Sequence, residues 1–278
     1  MAVERAEGES IACHSDPVSA FGPVESALRA RRDAGHKLLV PYVTGGLGDD
    51  WVAVVEAVAA AGADAVEIGI PFSDPVMDGP VIQEASQRAL AGGATPGSIL
   101  ADLGRIDAGV PLVVMTYYNI VFRAGHRRFA RSLVDRGVSG AIVPDLPLVE
   151  LDPWAAAADD AGVETILLAA PNTPDATLAA ICARSRGWVY GVAVMGVTGE
   201  RSSLASTAGV LGRRIKAATD KPVLLGVGVS NARQAAEAAA DADGVIVGSA
   251  LVRRLLEGVG PDGAAAFVAE LQKGLQNR

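Results

Sequence analysis

The chain has 278 residues, 50% hydrophobic and 20% charged, with a formal net charge of −8, enough apolar material for one large α/β core or two smaller ones. The acidic balance excludes a basic face for nucleic acid or an anionic membrane, so an anionic ligand must be gripped locally. Two distant cysteines, Cys13 and Cys182, and three histidines without ligand spacing, His14, His36 and His126, predict neither a disulfide framework nor a metal site.

No apolar run reaches the roughly 18 to 20 residues of a membrane span, and the charged start shows no secretory pattern. A cytoplasmic protein is expected. Residues 1–18 lack periodicity and read as a mobile extension; 19–278 read as a single domain. Within it, a helical pattern at 23–34 precedes a strand at 38–43, and a helix at 51–61 stops at Gly62. The strand at 65–70 ends in Pro71 to Pro80, where three prolines and a glycine in ten residues force a loop. Helices at 81–91 and 95–106 follow. Strands are then predicted at 112–116, 141–143, 165–169, 188–194, 222–225 and 244–247. Helices at 127–135, 151–161, 175–184, 211–218 and 232–240 separate them, and helices at 250–257 and 263–275 close the chain.

Eight strands, apolar throughout rather than alternating, are the pattern of a parallel sheet covered on both faces. The count favours an α/β fold of the closed (β/α)8 TIM barrel type, with extra N-terminal and inter-strand helices. No GxGxxG follows the first strand, which weakens a dinucleotide-binding sheet. Strand starts at 65 and 112, and at 188 and 222, make the second and sixth units long. Extra length in this fold lies in the loops that carry chemistry.

The second unit holds Glu67 where a buried strand would have an aliphatic residue, and Asp78 in the loop after it. An ionised carboxylate in such a wall is costly unless it is paired or its pKa rises. One carboxyl in an apolar wall and another in a more solvated place suit general acid/base work; the alternative is an ion-paired Glu67 and turn-capping Asp74 and Asp78. The sixth unit carries Met195 to Ser203, whose glycines suit a loop that closes over a ligand. Gly226-Val227-Gly228 after the seventh strand and Gly248-Ser249 after the eighth expose backbone N–H groups, with a helix dipole behind Ser249, and predict a phosphate site.

VEIGIPFSDPVMDGPVIQ at 66–83, with PYVT on the first strand, TYYN on the third, PDLP on the fourth, GVTG after the sixth, GVG after the seventh and GS after the eighth, resembles the tryptophan synthase alpha chain family. The resemblance runs from about Pro41 to Leu251. It implies retro-aldol cleavage of indole-3-glycerol phosphate to indole and glyceraldehyde 3-phosphate, with indole passed to a beta chain. It further implies an alpha2beta2 heterotetramer, no cofactor in this chain and pyridoxal phosphate in the beta chain only. By the same resemblance Glu67 is the general acid/base and Asp78 the carboxylate that accepts the indole N–H. Tyr42, Tyr117, Ile142, Tyr190 and the closing-loop Thr198 contact substrate, and Gly199, Gly228, Gly248 and Ser249 contact phosphate. Pro71, Asp74, Pro75, Asn119 and Pro147 meet the beta chain. Tyr42 replaces a frequent phenylalanine, Met77 a small residue and Val227 a phenylalanine of some members, and the extension has no counterpart. A stand-alone lyase releasing free indole and a non-catalytic phosphate-binding barrel are the rival readings.

Overall fold

The computed structural model describes residues 21–192 and 201–276, with backbone alone for 201–206. The extension expected at 1–18, and the loop bearing Thr198 and Gly199, lie outside the described residues.

Helix α1 (Pro23–Asp33) leads into β1 (Leu38–Thr44), α2 (Trp51–Ala60) and β2 (Val66–Gly69). After the proline loop come α3 (Pro80–Ala91), α4 (Pro96–Leu103), β3 (Leu112–Met115), α5 (Tyr118–Ala124), α6 (His126–Val134) and β4 (Val138–Ile142). Then α7 (Asp152–Ala161), β5 (Glu164–Ala169), α8 (Asp175–Arg184), β6 (Val189–Val192) and α9 (Arg201–Ala218) follow. The chain continues through β7 (Val223–Gly226), α10 (Ala232–Ala238), β8 (Gly244–Val247), α11 (Ser249–Leu256) and α12 (Gly260–Gln276). The eight strands are parallel and close in sequence order, β8 pairing with β1. This is a TIM barrel.

Neighbouring strand residues face two different cores, which is why the strands read as unbroken apolar runs. Leu38, Val40, Val113, Ile142, Ile166, Leu224 and Ile246 fill the barrel interior with Trp188. Leu39, Val43, Ile68, Val114 and Val245 point outward against a layer that includes Trp51, Phe129, Trp154 and Phe267.

Buried carboxylates tie the N-terminal end of the barrel. Asp64 Oδ2 accepts the Leu39 N–H at 2.8 Å and Oδ1 accepts Arg31 Nε at 2.9 Å, while Asp243 accepts the Val223 N–H at 2.9 Å. Glu164, fully buried, accepts the Val24 N–H at 2.6 Å and the Glu25 N–H at 3.0 Å. Its carboxylate meets the positive end of α1, and Val24 and Leu28 plug the interior from below. Glu164→Ala leaves two buried N–H groups without acceptors, so a loss of about 3 kcal/mol in unfolding free energy is expected in denaturant melts. A loss below about 0.5 kcal/mol, the scale of an ordinary surface substitution, would show that α1 is not held this way.

Several boundaries differ from the sequence reading by one to three residues, and three departures bear on the architecture. β4 begins at Val138, not 141, because Gly140 takes a strand position whose space the side chains of Ile166, Val113 and Val24 already occupy. Helix α5 is unpredicted; it is seven residues long and ends at Gly125 with φ +82°. Helix α9 begins at Arg201, ten residues before the predicted start, through a serine-rich stretch of middling helix propensity.

Candidate active site

Val66 and Ile68 pack into the outer core, so strand alternation turns Glu67 inward. The β1–β2 register sets Glu67 beside Tyr42, and the β2–β3 register sets it beside Val113. Glu67 is 1% exposed, and its Oε2 has no hydrogen-bond partner among the described residues. The ion-paired alternative is not what the structure holds: among the described residues no base pairs with Glu67. Burial, and then the charge of Asp78, push its carboxyl up to about 8, so it keeps its proton at neutral pH.

Two tyrosines wall this carboxyl, each seated on a glycine. A Cβ on Gly69 would lie 1.8 Å from the Tyr42 hydroxyl oxygen, and one on Gly226 would lie 2.8 Å from that of Tyr190. The glycines leave room for rings to cross the barrel mouth. Burial first, then the carboxylates, hold both phenols protonated: Asp78 before Glu67 for Tyr42, and Glu67 before Asp78 for Tyr190. Gly69→Ala is expected to displace Tyr42 and to cost about 1–3 kcal/mol of stability, with a raised KM. Melting and steady-state kinetics on that variant check it, and a wild-type melt with wild-type KM would sink it.

Asp78 belongs to the proline loop and is half-buried. Its N–H donates to the Pro75 carbonyl at 3.0 Å, and Gln83 Nε2 donates to its own carbonyl at 2.8 Å, which closes the loop on itself. The Tyr117 hydroxyl donates to Asp78 Oδ2 at 3.0 Å and accepts the Met77 N–H at 2.9 Å, while its ring stacks on Phe72 at 5.0 Å between centroids. Burial raises the Asp78 carboxyl too, and the Tyr117 hydrogen bond opposes that rise. Asp78 is therefore less solvated than its place in a loop suggested. Tyr117, expected against substrate, has its hydroxyl committed to holding Asp78 and the loop. The inward alternation of Val113, Met115 and Tyr117 could have pointed to this.

The phosphate candidates come together because β7 and β8 are paired neighbours. Gly228 is exposed at φ +72°, a conformation that costs little only for glycine. No side chain caps α11, which opens at exposed Ser249 directly after Gly248. A Cβ on Gly248 would stand 3.6 Å from that of Tyr42, so this cradle adjoins the aromatic wall. Ile142 is fully buried at the end of β4 among the interior aliphatics.

Pro71, Asp74, Pro75, Asn119 and Pro147 all lie in segments that follow β2, β3 and β4, with Asp74, Asn119 and Pro147 exposed and Pro71 buried. The Tyr118 N–H donates to Asp145 Oδ1 at 2.8 Å and ties two of these segments together. Val76, Met77, Phe122 and Val149 stand out from the same rim, more than half exposed. Among the described residues no helix is long and apolar enough to cross a membrane.

Comparison with known proteins agrees with this geometry. The tryptophan synthase alpha chain family model matches residues 28–277. The alpha chain of Thermobifida fusca is 45% identical over 259 residues, covering 90% of this chain and 96% of that one. The alpha chain of Streptomyces coelicolor is 44% identical over 264 residues, covering 92% and 97%. Among solved structures, Mycobacterium tuberculosis tryptophan synthase superposes with a TM-score of 0.85 at 41% identity, covering 93% of this chain and 100% of that one. The alpha subunit of Legionella pneumophila superposes at 0.84 with 29% identity, covering 93% and 100%. The chain belongs to the tryptophan synthase alpha chain family, the lyase that cleaves indole-3-glycerol phosphate.

Proposed function

We propose that Glu67 and Asp78 carry out the alpha reaction in this chain. Glu67, protonated at neutral pH, delivers its proton to indole C3. Asp78 accepts the indole N–H and stabilises the cation that forms on the ring. The Glu67 carboxylate then takes the proton of the glycerol hydroxyl next to the ring, and the bond between C3 and that carbon breaks. Its electron pair returns to the ring, which leaves as indole, and the other fragment leaves as glyceraldehyde 3-phosphate. Glu67 ends protonated as it began, its first proton left on C3 and its new one taken from the hydroxyl. The observation that carries this reading is the buried Glu67, without a counter-ion among the described residues and pushed up to about 8, in one cluster with Asp78, Tyr42 and Tyr190.

Gly228, Gly248 and Ser249, with Gly199, hold the substrate phosphate; Tyr42, Ile142, Tyr190 and Thr198 shape the indole pocket, and Tyr117 steadies Asp78. Proton transfer by Glu67 and charge stabilisation by Asp78 need no organic cofactor here, and pyridoxal phosphate belongs to the beta chain. The rim of Pro71, Asp74, Pro75, Asn119 and Pro147 takes that beta chain in an alpha2beta2 heterotetramer, in the cytoplasm. Its exposed apolar side chains, Val76, Met77, Phe122 and Val149, support this use.

The test is indole release from indole-3-glycerol phosphate by the chain alone and with the beta chain of the same organism. Slow cleavage that the partner accelerates is expected, because ordering the loop that holds Asp78 completes the site. Full activity alone would indicate a free-standing lyase, and none in either case would indicate a barrel that only binds.

A further inference from the structure

The stretch from Phe122 to Arg136 places five arginines in fifteen residues of a chain whose net charge is −8. Helix α6 buries Phe129, Ala130 and Leu133, which sends Arg127, Arg128 and Arg131 outward, and Arg123 at the end of α5 is exposed as well. Ten arginines elsewhere in the fold each hold a carboxylate within 4 Å. Among the described residues, none of Arg123, Arg127, Arg128 and Arg131 does. Like charges three and four residues apart, as at Arg128 and Arg131 or Arg127 and Arg131, weaken an isolated helix. The face is therefore kept at a cost to its own helix.

Its position says what it fits. Helix α5 leaves the C-terminal end of β3 and carries Asn119 and the exposed Phe122, with Arg123 next in sequence. Helix α6 starts two residues later, so Arg127 and Arg128 stand in its first turn, at the same rim. An apolar rim bordered by unpaired guanidinium groups matches a protein interface with an apolar centre and a charged margin, and the acidic remainder of the chain repels a polyanion.

We propose that Arg123, Arg127, Arg128 and Arg131 form an electrostatic docking face that steers an acidic surface of the beta chain onto the rim. This rests on the reading that the rim takes the beta chain. The charge pattern acts mainly on the association rate, since charges at an interface margin change encounter more than dissociation.

The test is stopped-flow association of the full chain with its beta chain over a range of ionic strength, for wild type, R127Q/R128Q and R127E/R128E. Wild-type association is expected to slow as salt rises. Charge reversal should lower the rate roughly tenfold at low salt and flatten its salt dependence, with the neutral variant between. Indole release by the variants without partner should stay at the wild-type value, and their melting temperatures should not fall below that of wild type, since the substitutions relieve like-charge repulsion in the first turn of α6. Equal association rates for all three proteins overturn the docking face and leave the partner reading intact; no association of wild type overturns the partner reading and the face with it. Retention of wild type on single-stranded RNA or phosphatidylglycerol vesicles, lost in R127E/R128E while beta-chain association is unchanged, also overturns the proposal.

Discussion

Glu67→Gln is expected to lower turnover of indole-3-glycerol phosphate by roughly 10²–10⁴-fold, the usual contribution of a general acid/base, with KM close to wild type. The amide fills the same space and can neither give nor take the proton, so the loss falls on kcat while the phosphate cradle at Gly228, Gly248 and Ser249 is untouched. In wild type, kcat/KM should fall as pH rises through about 8, where Glu67 loses the proton it must deliver. Stability should follow the same group. The folded pKa of about 8 lies above the ordinary 4.5, so the unfolded chain sheds this proton first, and wild-type stability declines as pH rises from 4.5 to 8 and is level beyond. Glu67→Gln removes that penalty. At pH 7 the difference is on the order of 3 kcal/mol in favour of the variant and shrinks toward pH 4.5. Calorimetry of both proteins at pH 5 and pH 8 checks this, and a variant less stable than wild type at pH 8 contradicts it.

Asp78→Asn is expected to cost roughly 10²–10³-fold in kcat, the scale seen when a group aimed at developing charge is removed. Its oxygen still accepts the Tyr117 hydroxyl, and the backbone bonds to Pro75 and Gln83 do not involve the side chain, so the loop keeps its shape. What is lost is the negative charge facing the cation on the ring. Because Asp78 raises the Glu67 carboxyl, the alkaline fall in kcat/KM should also move to lower pH in this variant. Steady-state kinetics across pH separate the two effects. Near-wild-type turnover in Asp78→Asn would assign cation stabilisation to another group.

The barrel was legible because its strands keep apolar residues on both faces and each is fenced by glycine or proline. Strand starts at Leu38 and Gly244 coincide with the reading, and those at Val66, Leu112, Glu164, Val189 and Val223 differ from it by at most one residue. The start of β4 was not legible, since Ser139-Gly140 interrupts the strand pattern after Val138 and is held by the packing of Val113 and Ile166 around Gly140. Glu67 announced itself as a carboxylate in an aliphatic run. The Tyr117–Asp78 hydrogen bond joins two units of the barrel 39 residues apart in sequence; alternation after Val113 and Met115 gives the direction of the ring, but local pattern does not name its partner. The seats at Gly69 and Gly226 have the same origin: each is required by a ring from a neighbouring strand.

Catalysis turns on a carboxyl that is protonated at neutral pH because it is buried beside another carboxylate. Carbon-13 NMR titration of the chain labelled at the glutamate carboxyls, with Glu67→Gln to assign the signal, measures this directly. A midpoint near 8 for Glu67 that drops in Asp78→Asn is the predicted result; a midpoint near 4.5, unmoved by Asp78→Asn, would contradict it.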